Sequence, residues 1–235
     1  MQKKWLRGLA LLLAAAFFAA LAGCGGARPV SAEAEEAGET DTPDAARPMI
    51  ALTFDDGPSV HTERLLNLFA EYGGHGTFCV IGNRIDLLPD TVARAVREGN
   101  ELAVHSWDHC QLTRLGADKV TEEIESTRQK IFELTGRECT VLRPTYGAVN
   151  DTLMRVAKDL DMIVVNWSVD TLDWKTRDAD ATYRAIMQGA EDGAIILCHD
   201  LYGATVDAME RVIPELTARG YRLVTVTELL TADAR

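Results

Sequence analysis

The sequence predicts an α/β fold, namely a distorted (β/α) barrel of about seven parallel strands with the helices on the outside. From residue 49 onward, short apolar segments alternate with segments whose apolar residues recur at helical spacing, and this alternation is typical of a parallel sheet. About seven such units, without a glycine-rich dinucleotide-binding turn, favour a barrel over an open sheet. Because barrels concentrate their chemistry at the carboxyl ends of the strands, functional side chains are expected there.

Strands are predicted where a short apolar run lacks helical spacing. In chain order these runs are 49–54, 76–81, 101–105, 141–143, 162–167, 193–198 and 221–226. The first contains Ile50, Leu52 and Phe54, as a buried strand would. The fourth is short because Pro144 ends it.

Helices are predicted in the intervals between these strands. In chain order they are 62–72, 90–98, 118–134, 151–160, 178–190, 205–219 and 227–230. Leu65 and Phe69 give the first its helical period, and Gly99 and Gly136 end the second and third. Asn150 is the predicted N-cap of the fourth, because its side chain can accept a hydrogen bond from a free backbone N–H.

The first 47 residues carry signs of export. Lys3, Lys4 and Arg7 precede an apolar run, at 9–22, that is too short and too alanine-rich for a membrane span. Residues 21–24, Leu-Ala-Gly-Cys, resemble a bacterial lipobox, which implies a lipoprotein signal peptide at 1–23 and lipidation of Cys24. An ordinary signal peptide followed by an incidental cysteine is the alternative. Residues 24–47 are acidic and poor in large apolar groups, which predicts a flexible tether before a folded domain at 48–235.

The chain is acidic, with a formal charge of −12 that becomes −15 when residues 1–23 and their three positive charges are removed. An acidic protein without a basic stripe is not expected to bind nucleic acid. Cys79 and Cys198 fall within apolar strand-like runs, which suits buried free thiols. Cys110 and Cys139 could pair after export, and the sequence leaves this open.

Two adjacent carboxylates follow the first predicted strand. Asp55 and Asp56 stand directly before the turn-forming pair Gly57-Pro58. Side chains alternate along an extended chain, so one carboxylate can bind a metal while the other moves a proton. Alone, this pattern fits a polar turn after a core strand better. Two histidines and further acids at other strand ends favour a functional site.

The third predicted strand leads into His105-Ser-Trp-Asp-His109. Histidines four positions apart lie one helical turn apart, so both rings can face one ion. Such a pair alone is weak evidence, but beside the Asp-Asp strand end it favours a metal site. Two histidines and one carboxylate leave positions open for water and substrate, which is the catalytic rather than the structural pattern.

Five segments, in order, resemble the motifs of the polysaccharide deacetylases, the NodB-homology domain of carbohydrate esterase family four. The segments are Thr53-Phe-Asp-Asp-Gly-Pro58, His105-Ser-Trp-Asp-His109, Arg143-Pro-Thr-Tyr-Gly147, Asp170-Thr-Leu-Asp-Trp174 and Ile196-Leu-Cys-His-Asp200. The resemblance covers residues 48–230 and implies the distorted barrel of that family. Thr145 is a departure, because a second proline is usual at its position.

The resemblance also implies a reaction centre. Asp56, His105 and His109 would bind a divalent ion, commonly Zn²⁺, with Co²⁺ or another divalent ion as alternatives. Asp55 would be the general base, and His199 the general acid.

Five more residues would support that centre. Arg143 would hold the base in place, and Asp173 would orient the acid. Tyr146 would offer its backbone N–H to the oxyanion. Trp174 and Leu197 would line the groove that receives the acetyl group.

The implied function is metal-dependent hydrolysis of N-acetyl groups on a surface polysaccharide, with release of acetate. Peptidoglycan N-acetylglucosamine is the preferred substrate, because peptidoglycan is the polymer nearest to an anchored enzyme. The alternatives are muramic residues, chitin-type or xylan substrates, ester-linked acetate, a small-molecule amidase, and an inactive carbohydrate-binding lipoprotein. We expect a monomer, exported and anchored by its lipid to the cell membrane, facing the outside of the cytoplasm.

Overall fold

The computed structural model describes residues 47–233, with the backbone alone for Asp233. The strands are β1 (Met49–Gly57), β2 (Thr77–Val80), β3 (Glu101–Val104), β4 (Val141–Leu142), β5 (Ile163–Val164), β6 (Val169–Asp170), β7 (Ala194–His199) and β8 (Arg222–Leu223). They form one parallel sheet in the order β5-β4-β3-β2-β1-β7-β6, and β8 pairs with the start of β1. The sheet curls into a half-barrel, which confirms the predicted fold class.

Eight helices surround this sheet in the described part of the chain. They are α1 (Thr62–Tyr72), α2 (Pro89–Arg97), α3 (Ala117–Thr135), α4 (Asp151–Asp159), α5 (Asp173–Thr176), α6 (Ala179–Gly189), α7 (Gly203–Ala218) and α8 (Val226–Asp233). The predicted cap is confirmed, since the Asn150 side chain accepts a hydrogen bond of 2.9 Å from the Leu153 N–H. Between residues 47 and 233, none of the helices has the length and apolar character needed to span a bilayer.

Strand β1 separates two apolar layers. Its residues Ile50, Leu52 and Phe54 are fully buried in the larger core, which also contains the apolar faces of the helices. Ala51 belongs to a smaller core made of residues on the inner side of the half-barrel. The alternation follows from the period of two in a strand. It also places Asp55 on the same side as Ala51, facing the interior of the half-barrel.

The two ends of the half-barrel differ. Helix α8 covers the amino ends of the strands, where the Val226 N–H donates to Thr77 and the Thr227 hydroxyl to Glu101. The carboxyl ends of β1 and β7 carry Asp55 and His199, which lie opposite each other in the register of the two strands. The candidate site is therefore at the carboxyl end, as in barrels generally.

Two strand predictions need correction, and two elements were missed. The strands predicted at 162–167 and 221–226 are limited to the pairs Ile163–Val164 and Arg222–Leu223. Strand β6 and the single turn α5 were not predicted. The open cysteine question is also resolved, because Cys110 and Cys139 are both free thiols.

Candidate metal centre and active site

The first strand ends in an irregular turn that separates its two carboxylates. The register of β1 against β2 shifts between Asp55 and Gly57, and Asp56, which lies between them, has a left-handed φ of 71°. A non-glycine residue in this region is uncommon and is concentrated at functional sites. The bulge brings Asp56 toward the loop after β3, while Asp55 stays on the inner side of the half-barrel.

Asp56, His105 and His109 converge on one point. The Asp56 Oδ1 atom lies 3.0 Å from Nε2 of His109 and 3.4 Å from Nε2 of His105. One ligand atom from each residue falls within 4.8 Å of the other two. The Oδ1 atom is buried, yet it accepts no well-aligned hydrogen bond from the described residues. An oxygen and two imidazole nitrogens aimed at a shared point fit a divalent cation.

The tautomer of His105 suits this role. Its Nδ1 lies 2.7 Å from the Arg143 carbonyl oxygen, and a carbonyl can only accept, so Nδ1 carries the proton. The Nε2 lone pair is then free to bind a cation, as in most histidine metal sites. His109 is held by the Tyr146 hydroxyl, 3.2 Å from its Nδ1.

The predicted reason for this convergence is wrong, although the three side chains do come together. Residues 105–109 form a loop instead of a helical turn, and Ser106 and His109 have left-handed φ values of 60° and 67°. Ser106 is fully buried, and its carbonyl accepts from the Gly82 N–H and from the Thr127 hydroxyl. Tertiary contacts therefore fold this loop and turn both imidazoles toward Asp56.

The histidines also set the ionisation of Asp56. Burial alone would raise the pKa of this carboxyl, but the two imidazoles that face it, His105 and His109, outweigh burial and hold the pKa well below its usual range. Asp56 is therefore a carboxylate at neutral pH, which is the form that binds a metal.

Asp55 forms a buried ion pair with Arg143. Arg143 is 1% exposed, and its Nη1 lies 3.0 and 3.1 Å from the two carboxylate oxygens of Asp55. Its other nitrogens donate to the Thr53 hydroxyl at 3.0 Å and to the Val165 carbonyl at 2.9 Å. Four hydrogen bonds fix the guanidinium, so Asp55 is held in one orientation beside the possible metal site.

His199 is held from behind by Asp173. Asp173 is fully buried, and its Oδ1 lies 2.8 Å from His199 Nδ1, while Oδ2 accepts from the His199 N–H and from the Thr205 hydroxyl. Burial lowers the pKa of His199, but the hydrogen bond and charge of Asp173, with the nearby Asp55 and Asp56, raise it above its ordinary value. Asp173 therefore favours the protonated form of the imidazole.

These groups face one cavity of about 440 Å³. Its lining includes the predicted Tyr146, Trp174 and Leu197. It also includes Trp167 and Tyr202, which the sequence reasoning missed. Trp167 ends a predicted strand, so the strand-end rule could have found it, whereas Tyr202 carries no such signal.

The backbone of Tyr146 suits an anion donor. This residue has φ 60° and ψ 13° inside a short 3₁₀ turn, and its side chain is 66% exposed. Among the residues that the structure describes, nothing accepts a hydrogen bond from its N–H.

A second buried carboxyl lies behind the turn after β1. Asp200 is fully buried and accepts from the Thr62 hydroxyl, but its Oδ1 has no partner among the described residues. A Cβ on Gly57 would lie 2.7 Å from Asp200 Oδ2, so this close approach requires glycine. Burial, the largest influence, raises the pKa of Asp200 to about 7.

The family model described as polysaccharide deacetylase matches residues 42–165, more than half of the chain. The chain belongs to the polysaccharide deacetylase family. The motifs found in the sequence are thus family motifs, and the His/Asp cluster is a possible metal site in a family whose members are generally metal-dependent.

Two curated relatives and one solved structure of the family are closely similar. The peptidoglycan-N-acetylmuramic acid deacetylase PdaC of Bacillus subtilis is 42% identical over 190 residues, which cover 80% of this chain and 40% of PdaC. The peptidoglycan-N-acetylglucosamine deacetylase PgdA of Listeria monocytogenes is 40% identical over 181 residues, covering 77% of this chain and 38% of PgdA. A solved structure of Bacillus subtilis PdaC has a TM-score of 0.78 and 40% identity, covering 82% of this chain and 94% of that chain. The chain spans about two fifths of the length of these curated relatives.

Proposed function

We propose that this protein is a divalent-metal-dependent deacetylase that hydrolyses N-acetyl groups of peptidoglycan N-acetylglucosamine and releases acetate. The observation that carries the proposal is the convergence of Asp56, His105 and His109 in a cavity that Asp55 and His199 also line. Membership of the polysaccharide deacetylase family supports the reaction class.

Zn²⁺ is the proposed ion, with Co²⁺ or another divalent ion as alternatives. Two histidines and one carboxylate are a common catalytic zinc set, and they leave positions open for water and substrate. When bound, the ion would supply Lewis acidity, which makes an acetyl carbonyl more electrophilic and a water easier to deprotonate.

The protein groups divide the proton transfers. Asp55 takes a proton from the attacking water while Arg143 holds its carboxylate in place. The developing oxyanion accepts a hydrogen bond from the Tyr146 N–H. His199 then donates its proton to the amide nitrogen, the C–N bond breaks, and acetate and a free amine result. Asp173 keeps His199 protonated for this step.

Trp174 and Leu197 are proposed to hold the acetyl methyl group. Leu197 is 4% exposed and Trp174 47% exposed, and both line the cavity, so they offer apolar contact at its base and at its mouth. The two curated relatives are described by different peptidoglycan sugars, and N-acetylmuramic acid is therefore the alternative sugar.

The proposed function includes a location of the protein at the cell membrane. The features that suggest export, including the proposed lipidation of Cys24, lie in the first 46 residues, outside the described residues. We propose that the mature protein is a monomer, is anchored to the outer face of the cell membrane through this lipid, and reaches its polymer on the acidic tether. A Cys24→Ala variant should lose labelling by a clickable palmitate analogue, and retained labelling would contradict the anchor.

The function is tested by measuring acetate release from peptidoglycan, chitooligosaccharides, acetylated xylan and a small aryl acetamide. Protein is stripped with a chelator and then restored with Zn²⁺ or Co²⁺. Release from peptidoglycan that requires the ion supports the proposal, and mass spectrometry of muropeptides identifies the sugar. Preference for another polymer would reassign the substrate. Absence of release from all four substrates would favour an inactive carbohydrate-binding protein.

A further inference from the structure

The segment after β4 contacts the loop after β3 at three points. The Arg143 carbonyl accepts from His105 Nδ1 at 2.7 Å, and the Tyr146 hydroxyl lies 3.2 Å from His109 Nδ1. The third contact is a hydrogen bond of 2.6 Å from the Thr145 hydroxyl to the Cys110 carbonyl. The first two contacts hold imidazole rings, whereas the third holds the backbone directly after His109.

Thr145 is placed to fix this backbone. It is 1% exposed, so its hydroxyl has little access to water and depends on the Cys110 carbonyl. It also stands directly before Tyr146, whose N–H faces the proposed oxyanion. The Thr145 bond therefore connects the backbone next to the proposed anion donor with the backbone next to His109.

Both ends of this bond border strained backbone. His109 has a φ of 67° and Tyr146 a φ of 60°, and neither is a glycine. Residues in this region persist only when the surroundings hold them there. The Tyr146 hydroxyl also lies 3.4 Å from the His109 carbonyl, but that side chain is 66% exposed, and the His109 N–H donates to Ser106 within its own loop. The Thr145 bond is the contact from a buried side chain that connects the main chains next to these two residues.

We infer that Thr145 is a positioning residue, which sets the distance between the metal ligand His109 and the Tyr146 N–H. The Tyr146 half of this inference rests on the proposed deacetylase function. The His109 half does not, because it concerns metal binding alone.

The test compares Thr145→Val, which keeps the shape and removes the donor, with Thr145→Ser, which keeps the hydroxyl. The control is Thr182→Val, because Thr182 is also fully buried and donates to a backbone carbonyl, that of Asp178 at 3.0 Å, outside the cavity lining. Zn²⁺ affinity is measured on chelator-stripped protein with a competing chromogenic chelator. Thermal unfolding, kcat and KM are measured in parallel.

Thr145→Val is expected to weaken Zn²⁺ binding about tenfold, as loss of outer contacts to metal ligands does. Its kcat should fall about tenfold with KM within twofold, because a misplaced donor affects the transition state more than binding. Thr145→Ser keeps the hydroxyl, so its Zn²⁺ affinity and its kcat should both lie within about threefold of the wild-type values. Thr182→Val should lower the midpoint of unfolding alone.

Wild-type affinity and kcat in a Thr145→Val protein with a lowered unfolding midpoint would reduce Thr145 to a structural role and overturn the inference. If the valine variant does not fold, Thr145→Ala leaves room for water at the Cys110 carbonyl, and it must show the same two losses. If the wild type releases no acetate, the proposed function fails, while the Zn²⁺ affinities still decide the role of Thr145.

Discussion

Replacing Arg143 by methionine tests the ion pair that holds the proposed base. Arg143→Met keeps an unbranched apolar stem but removes all four hydrogen bonds of the guanidinium. It leaves the Asp55 carboxylate, which is 3% exposed, without its cationic partner. A buried charge that loses its partner cannot recover its hydration, so the folded state should be strongly destabilised.

The expected loss is about 3–5 kcal/mol of unfolding free energy, the usual cost of breaking a buried pair from one side. For a domain of this size, each kcal/mol lowers the unfolding midpoint by about 2–4 °C, so the midpoint should fall by about 6–20 °C. Arg64→Met is the matched control, because Arg64 pairs with Asp207 at 2.9 Å with both side chains exposed. It should cost no more than about 1 kcal/mol.

The assay is urea unfolding of chelator-stripped protein, followed by fluorescence. It is applied to the wild type, to Arg143→Met, to Asp55→Asn, to the double variant that carries both substitutions, and to the Arg64→Met control. Asp55→Asn removes the stranded charge, so adding it to Arg143→Met should recover about 2 kcal/mol. A loss below about 1 kcal/mol for Arg143→Met would refute the reasoning. Additive effects of the two substitutions would refute it as well, because they would show that the groups do not interact.

Four further substitutions test single groups. Asp55→Asn should lower kcat about 10²–10⁴-fold yet leave Zn²⁺ bound, as metal analysis would show, and an active variant excludes it as the base. His109→Ala should lose bound metal and activity together; retention of both contradicts its role as ligand. Asp173→Asn should move the alkaline limb of the kcat/KM profile to lower pH, because the carboxylate that raises the pKa of His199 is gone. If the limb does not move, the group that titrates there is not His199. Asp200, with a pKa of about 7, is protonated when folded and ionised when unfolded between about pH 4 and 7. The unfolding free energy of metal-free wild type should therefore fall relative to Asp200→Asn, by up to about 4 kcal/mol, as pH rises from 4 to 8, and parallel curves would contradict this.

The metal centre shows what local pattern can and cannot predict. Asp56, His105 and His109, picked out as strand-end residues, do converge in the structure, because parallel strands bring their carboxyl ends together. Their role as metal ligands stays a prediction. The helical spacing assumed for the two histidines was wrong. The loop conformation depends on Ser106, which is held by residues distant in sequence, among them Thr127. No local signal carries that information.

The short strands illustrate a second limit. The apolar run at 221–226 predicts a strand, but only Arg222–Leu223 pairs with β1. Val224 and Val226 are apolar because they fill the inner side of the half-barrel. An apolar residue is found both where a side chain is merely buried and where the backbone pairs with a neighbouring strand. The length of the strand could therefore not be predicted there.

The central place of β1 also constrains how the molecule can be made. Thr53 of β1 bonds to Ile196 of β7, 143 positions further along the chain. During synthesis from the amino terminus, β1 therefore emerges long before its partner β7 exists. Phe54 can stack early on Phe78 of β2, with ring centroids 5.3 Å apart, but the edge of β1 that pairs with β7 lacks its partner until then. An unpaired strand edge promotes aggregation, so this edge is where a chaperone would protect β1 during synthesis.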